Sequence, residues 1–123
     1  MKSEPRTILF VEDEPLLGEL MTEALTDKGF EVQVAADAGC ALRYLLSGAE
    51  VDVLFTDIDL GDGMDGAQLA KLAREMRPKL PVVYASGRRA MEEIPTVPNS
   101  IFLPKPYTLN QVDQTLSRIG RAG

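Results

Sequence analysis

Three strand-length apolar runs without polar alternation constrain this chain most: Thr7-Ile-Leu-Phe-Val11, Asp52-Val-Leu-Phe-Thr56 and Pro81-Val-Val-Tyr-Ala-Ser86. A strand that is apolar on both faces has to be covered on both, as in parallel sheets packed between helices. Phe30-Glu-Val-Gln-Val-Ala35 alternates instead, as a half-exposed edge strand does, and Ser100-Ile-Phe-Leu103 is short. Helical patterns fill the gaps. Pro15 opens the first, with Leu16, Leu17, Leu20, Met21, Ala24 and Leu25 expected inward and Gly29 as the stop. Asp37 caps the second, with Ala41, Leu42, Leu45 and Leu46 as its inner face. The third runs from about Gly66 to Arg77 on Leu69, Leu72, Ala73 and Met76, and Thr108 caps the last, on Leu109, Val112, Leu116 and Ile119. Between positions 88 and 94 only one or two turns fit, because Pro95 and Pro98 prevent a long helix. Strand and helix alternate five times within 123 residues. That predicts one α/β domain, a doubly wound five-stranded parallel sheet of order 2-1-3-4-5 with a shortened fourth helix.

In that order the chain reverses between strands one and three, and ligands bind at the carboxyl ends flanking such a switch point. Those ends carry Glu12-Asp13 and Asp57. An apolar strand that ends on an acid is locally unfavourable unless a cation or a reaction uses the acid. Carboxylates gathered there repel, and a divalent cation relieves the repulsion by taking oxygen ligands; Mg2+ fits because it keeps waters for an incoming phosphate. Glu12, Asp13 and Glu14 also suit a helix N-terminus, so Asp57 on a separate strand carries the argument. Ser86 ends the fourth strand and Lys105 follows the fifth, offering a hydroxyl and an ammonium to an anion over Asp57.

Composition narrows the chemistry. With no histidine and the single Cys40, zinc sites of the His/Cys type and histidine-activated nucleophiles are excluded. A lone cysteine suits a reducing cytoplasm. The net charge of −6 argues against a direct nucleic-acid binder. No apolar run approaches the ~20 residues that span a bilayer, so no membrane segment is expected.

Taken together, Glu12-Asp13, Asp57, Gly66, Ser86 and Lys105-Pro106 make the chain resemble the receiver domain of two-component response regulators over nearly its whole length. The resemblance implies a flavodoxin-like fold in which Asp57 accepts a phosphoryl group from a phosphohistidine on a sensor histidine kinase or histidine phosphotransfer protein. It further implies Mg2+ held by Glu12, Asp13, Asp57 and the backbone carbonyl of Asp59, with Ser86 and Lys105 on the phosphoryl oxygens. By the same resemblance Ser86 and Phe102, three residues before Lys105, form a conformational switch, and the Lys105–Pro106 bond is cis. The chain would act as a switch on a downstream protein target or as a phosphate relay, not as an enzyme on external substrates, and as a monomer or weak homodimer.

The sequence departs from the family pattern in two places. Gly66 lies nine positions after Asp57, with Gly61 where proline is usual, which predicts a longer and looser loop. The Ser86–Lys105 segment is short. The expected organisation is a stand-alone receiver over 1–123, with a disordered lead at about 1–6 and no output domain. The alternative is a small phosphatase of haloacid-dehalogenase type with Asp57 as nucleophile and Asp59 as general acid. An EF-hand register through Asp57 fails, because Asp62 falls on the obligatory glycine and Gln68 on the bidentate glutamate.

Overall fold

The computed structural model describes residues 6–61, 63–87 and 96–120. The expected short helix between positions 88 and 94 lies outside these residues. The elements are β1 (Thr7–Val11), α1 (Pro15–Asp27), β2 (Glu31–Ala35), α2 (Ala38–Leu46), β3 (Val53–Asp57), α3 (Gly66–Met76), β4 (Val82–Ser86), β5 (Ser100–Pro104) and α4 (Leu109–Gly120). All five strands pair in parallel in the order β2-β1-β3-β4-β5, with β1 and β3 in adjacent register from Ile8↔Val53 to Val11↔Thr56. The three unbroken apolar runs are the three inner strands.

Side chains alternate across the sheet and fill two cores. Leu9, Val11, Leu54, Val82 and Tyr84 pack with α2 and α3 on one face. Ile8, Phe10, Val53, Phe55 and Val83 pack with α1 and α4 on the other. Edge strand β2 is the most open, and Val34 is 38% exposed.

Side-chain caps fix where three helices begin. Asp37 accepts the Cys40 N–H at 2.8 Å, and Asp65 and Gln68 form a reciprocal capping box at the head of α3. Thr108 and Gln111 make the same exchange before α4. Asp65 therefore has a structural use at the head of α3.

Three helix faces differ from expectation. Leu16 is 67% exposed, Leu20 55% and Leu46 73%, and Leu72 also meets solvent. In α1 the buried stripe is Gly18, Met21 and Leu25. Gly18 sets it by close approach: a Cβ there would stand 3.3 Å from Val34 Cγ1. Leu20 lies about 100° around the helix from Met21 and therefore faces out. Arg6, read as part of the lead, is fixed instead. Its guanidinium donates to the Leu116 carbonyl at 2.7 Å, and its own carbonyl accepts from Glu31 N at 2.9 Å.

Candidate functional site: an acidic pocket at the ends of β1 and β3

The pocket is assembled by the sheet itself. Glu12 N–H donates to the Ala35 carbonyl and Ile58 N–H to the Ala85 carbonyl, so ladder bonding carries the chain up to each acid. Glu12 is 3% exposed and Asp57 5%, whereas Asp13 is open to solvent. The three offer carboxylate oxygens within 4.8 Å of one another.

Lys105 closes the pocket from β5. Its Nζ lies 3.0 Å from Asp57 Oδ2 and 4.0 Å from Glu12 Oε1. The Lys105 backbone N–H donates to the Ser86 carbonyl at 3.0 Å, which holds the ends of β4 and β5 side by side. Ser86 is 2% exposed. The Lys105–Pro106 peptide bond is cis.

Burial and charge decide the protonation. Burial first, then the Asp57 charge, raises the Glu12 carboxyl from 4.5 to about 7. Burial also raises Asp57, against the lowering effect of the Lys105 hydrogen bond. Partial burial would lower the Lys105 pKa, but Asp57 and Glu12 outweigh it and the net shift is upward. Among the described residues, the pocket thus holds more acid than the Lys105 ammonium neutralises. Hard oxygen donors that are short of positive charge suit a divalent cation such as Mg2+.

The glycine loop is drawn over this pocket. Gly66 N–H donates to the Ile58 carbonyl at 2.9 Å, and a Cβ on Gly66 would collide with the Asp57 carbonyl. Gly61 has φ +78°, and a Cβ there would stand 3.5 Å from Asp13 Oδ2, so the loop lies beside that acid. Asp59 N–H is 3.4 Å from Asp57 Oδ1, which sets the residue 59 backbone at the rim.

The structure therefore gathers Glu12, Asp13, Asp57, Lys105, Ser86 and the Asp59 backbone at one end of the sheet. Phe102 stands apart. It is half-buried on β5 as the register partner of Tyr84 and packs against the α2–α3 core. Two residues near the site are missing from the sequence argument. Tyr107 lies with its ring 5.8 Å from that of Phe55, and burial, Glu12 and Asp57 together raise its pKa. Tyr84 is wholly buried and accepts the Val97 N–H on its hydroxyl at 3.0 Å. The available signal for Tyr107 was a hydroxylated aromatic directly after Lys105-Pro106; Tyr84 reads only as strand filler.

The solved structures similar to this chain include receivers. A crystal structure of a response regulator receiver protein from Sinorhizobium medicae WSM419 is 40% identical, with a TM-score of 0.89 and coverage of 97% of each chain. The sensor kinase CckA of Brucella abortus is 31% identical over 92% of this chain, and the transcriptional regulatory protein TcrA of Mycobacterium tuberculosis is 31% identical over 94%. The chain spans 12% of the length of that kinase and 46% of that regulator. The phosphatase reading of Asp57 and Asp59 gains no support from these relatives. The model of the response regulator receiver domain matches residues 8–117, from β1 into α4 and through every strand end described above. By that match, this chain belongs to the response regulator receiver domain family.

Proposed function

We propose that Asp57 accepts a phosphoryl group from a phosphohistidine of a sensor histidine kinase or histidine phosphotransfer protein. The observation that carries this reading is the 3.0 Å approach of Lys105 Nζ to Asp57 Oδ2, beside two further acids at the switch point of the sheet. In the transfer the P–N bond of the donor breaks, its electron pair stays on the imidazole nitrogen, and a P–O bond forms to a carboxylate oxygen of Asp57. Glu12, Asp13, Asp57 and the Asp59 carbonyl would hold Mg2+. When bound, that cation offsets negative charge on the transferring group. Lys105 places a fixed positive charge beside the reacting carboxylate, and Ser86 offers a hydroxyl to a phosphoryl oxygen.

The output of the switch is a change at Ser86 and Phe102 that a downstream protein reads. Two features support it: Ser86 ends the strand next to the β5 segment that carries Phe102, and Phe102 is only half-buried. The setting is cytoplasmic, which the free Cys40 fits. No helix among the described residues is long and apolar enough to cross a membrane.

Intact mass after incubation with a small phosphodonor and Mg2+ tests the reading. One phosphoryl adduct, cleaved by hydroxylamine and absent with EDTA or in Asp57→Asn, is the expected result. Steady phosphate release from ordinary phosphomonoesters that is lost in Asp59→Asn would overturn it in favour of the phosphatase.

A further inference from the structure

Tyr107 packs its ring on Phe55 of β3 and buries its hydroxyl, for which the described residues supply no hydrogen-bond partner. Among the described residues, Arg6, Arg74 and Tyr107 each have a buried side-chain polar atom without a hydrogen-bond partner, and Tyr107 is the one whose ring packs on Phe55, two residues before Asp57 on β3. An unpaired buried hydroxyl costs about 1–3 kcal/mol. Phenylalanine would fill the same place against Phe55 without that cost. The extra oxygen is therefore unexplained by packing.

Its surroundings say what it faces. Phe10, Phe55 and Tyr107 form a tilted aromatic row with centroid separations of 5.0 and 5.8 Å on the α1–α4 side of the sheet. Glu12 follows Phe10 by two residues and leaves β1 on that same side. Among charged groups, Glu12 acts most strongly on the Tyr107 hydroxyl, followed by Asp57, and both keep it protonated and hence a donor. Glu12 Oε2 accepts from Glu14 N at 3.2 Å, while among the described residues Oε1 has Lys105 Nζ at 4.0 Å. A carboxylate has about four acceptor positions, so Glu12 can take a further donor.

We propose that Tyr107 is a positioning residue for the cation site: in the Mg2+-bound protein its hydroxyl donates, through one water, to the Glu12 carboxylate and fixes the orientation in which Glu12 binds Mg2+. The proposal rests on the reading of Glu12, Asp13 and Asp57 as the cation ligands. Outer hydrogen-bond partners of metal ligands typically change affinity by about 10–100-fold.

The test is isothermal titration of Mg2+ into the wild-type chain, Tyr107→Phe and Asp13→Asn, with melting temperatures measured in EDTA. Tyr107→Phe should bind Mg2+ at least about tenfold more weakly, yet melt at or above the wild-type temperature without metal. Unchanged affinity in Tyr107→Phe beside a weakened Asp13→Asn would overturn the positioning role and leave the cation site standing. A metal-free melting temperature that falls together with affinity would also overturn it, because the hydroxyl would then be structural. If the wild type takes no Mg2+, or Asp13→Asn binds as well as the wild type, the cation reading itself fails and the Tyr107 role fails with it.

Discussion

The Lys105 ammonium lies 3.0 Å from Asp57 Oδ2 and 4.0 Å from Glu12 Oε1, so one cation serves two buried carboxylates. Its two effects are separable. In the proposed transfer the ammonium helps Asp57 receive a phosphoryl group, and it repels any second cation in the pocket. Lys105→Met should therefore slow adduct formation by roughly 100-fold, in the range for loss of one preorganised charge donor. The same variant should keep Mg2+ affinity or strengthen it. Rapid-quench phosphorylation and Mg2+ titration on one preparation check both, and a joint loss would mean that Lys105 merely holds the pocket in shape.

Glu12 gives a prediction with a defined sign. The folded chain holds its carboxyl proton up to about pH 7, against an ordinary value of 4.5. Folding is therefore favoured below pH 4.5, and that contribution is lost as pH rises through 7. At ~1.4 kcal/mol per pKa unit the whole effect is roughly 3 kcal/mol. Metal-free wild type should show a lower urea midpoint at pH 8 than at pH 5. Glu12→Gln, neutral at both, should have the higher midpoint at pH 8 and a flatter profile. A wild-type midpoint that rises across the window would refute the assignment.

Much of this was legible in the sequence because parallel strands announce themselves by unbroken apolar runs, and Asp57 interrupts one of them at its end. Sheet order followed from which runs were apolar twice over. Helix faces were less legible. Leu16, Leu20 and Leu46 are large and apolar, but which stripe turns inward is decided by a contact such as Gly18 against Val34, which no single helix encodes. Pocket residues that come from strand ends were readable, because topology alone brings them together. Tyr107 and Tyr84 were not, because their hydroxyls matter only through tertiary neighbours.

Gly66 is the point where the loop and β3 touch. A methyl group there meets the Asp57 carbonyl, which belongs to a fully buried strand and cannot move aside cheaply. Gly66→Ala should cost about 1–3 kcal/mol, the usual range for overpacking. Because the displaced atom belongs to Asp57, adduct formation should fall in the fraction that still folds. Chemical denaturation and intact mass check the two effects, and an Ala variant as stable as wild type would show that α3 can shift as a body.

Tyr84 ties β4 to the segment that leads into β5. Its hydroxyl accepts the Val97 N–H at 3.0 Å, and Ser100 Oγ donates to the Val97 carbonyl at 2.7 Å, so both polar groups of Val97 are bound. Tyr84 itself is wholly buried, and its ring fills the α2–α3 core beside Phe102. Tyr84→Phe keeps the ring and strands the Val97 N–H. The expected cost is about 1 kcal/mol, because Val97 is partly exposed and water can replace some of the lost bond. Hydrogen exchange at Val97 should accelerate by about fivefold, the kinetic equivalent of that loss under fast reclosing. The Tyr84 hydroxyl is engaged by Val97 and sits in the middle of β4, so the Asp57 adduct should form to the wild-type extent. A slowed adduct in Tyr84→Phe would instead couple the 96–100 segment to the pocket through the shared strand β4.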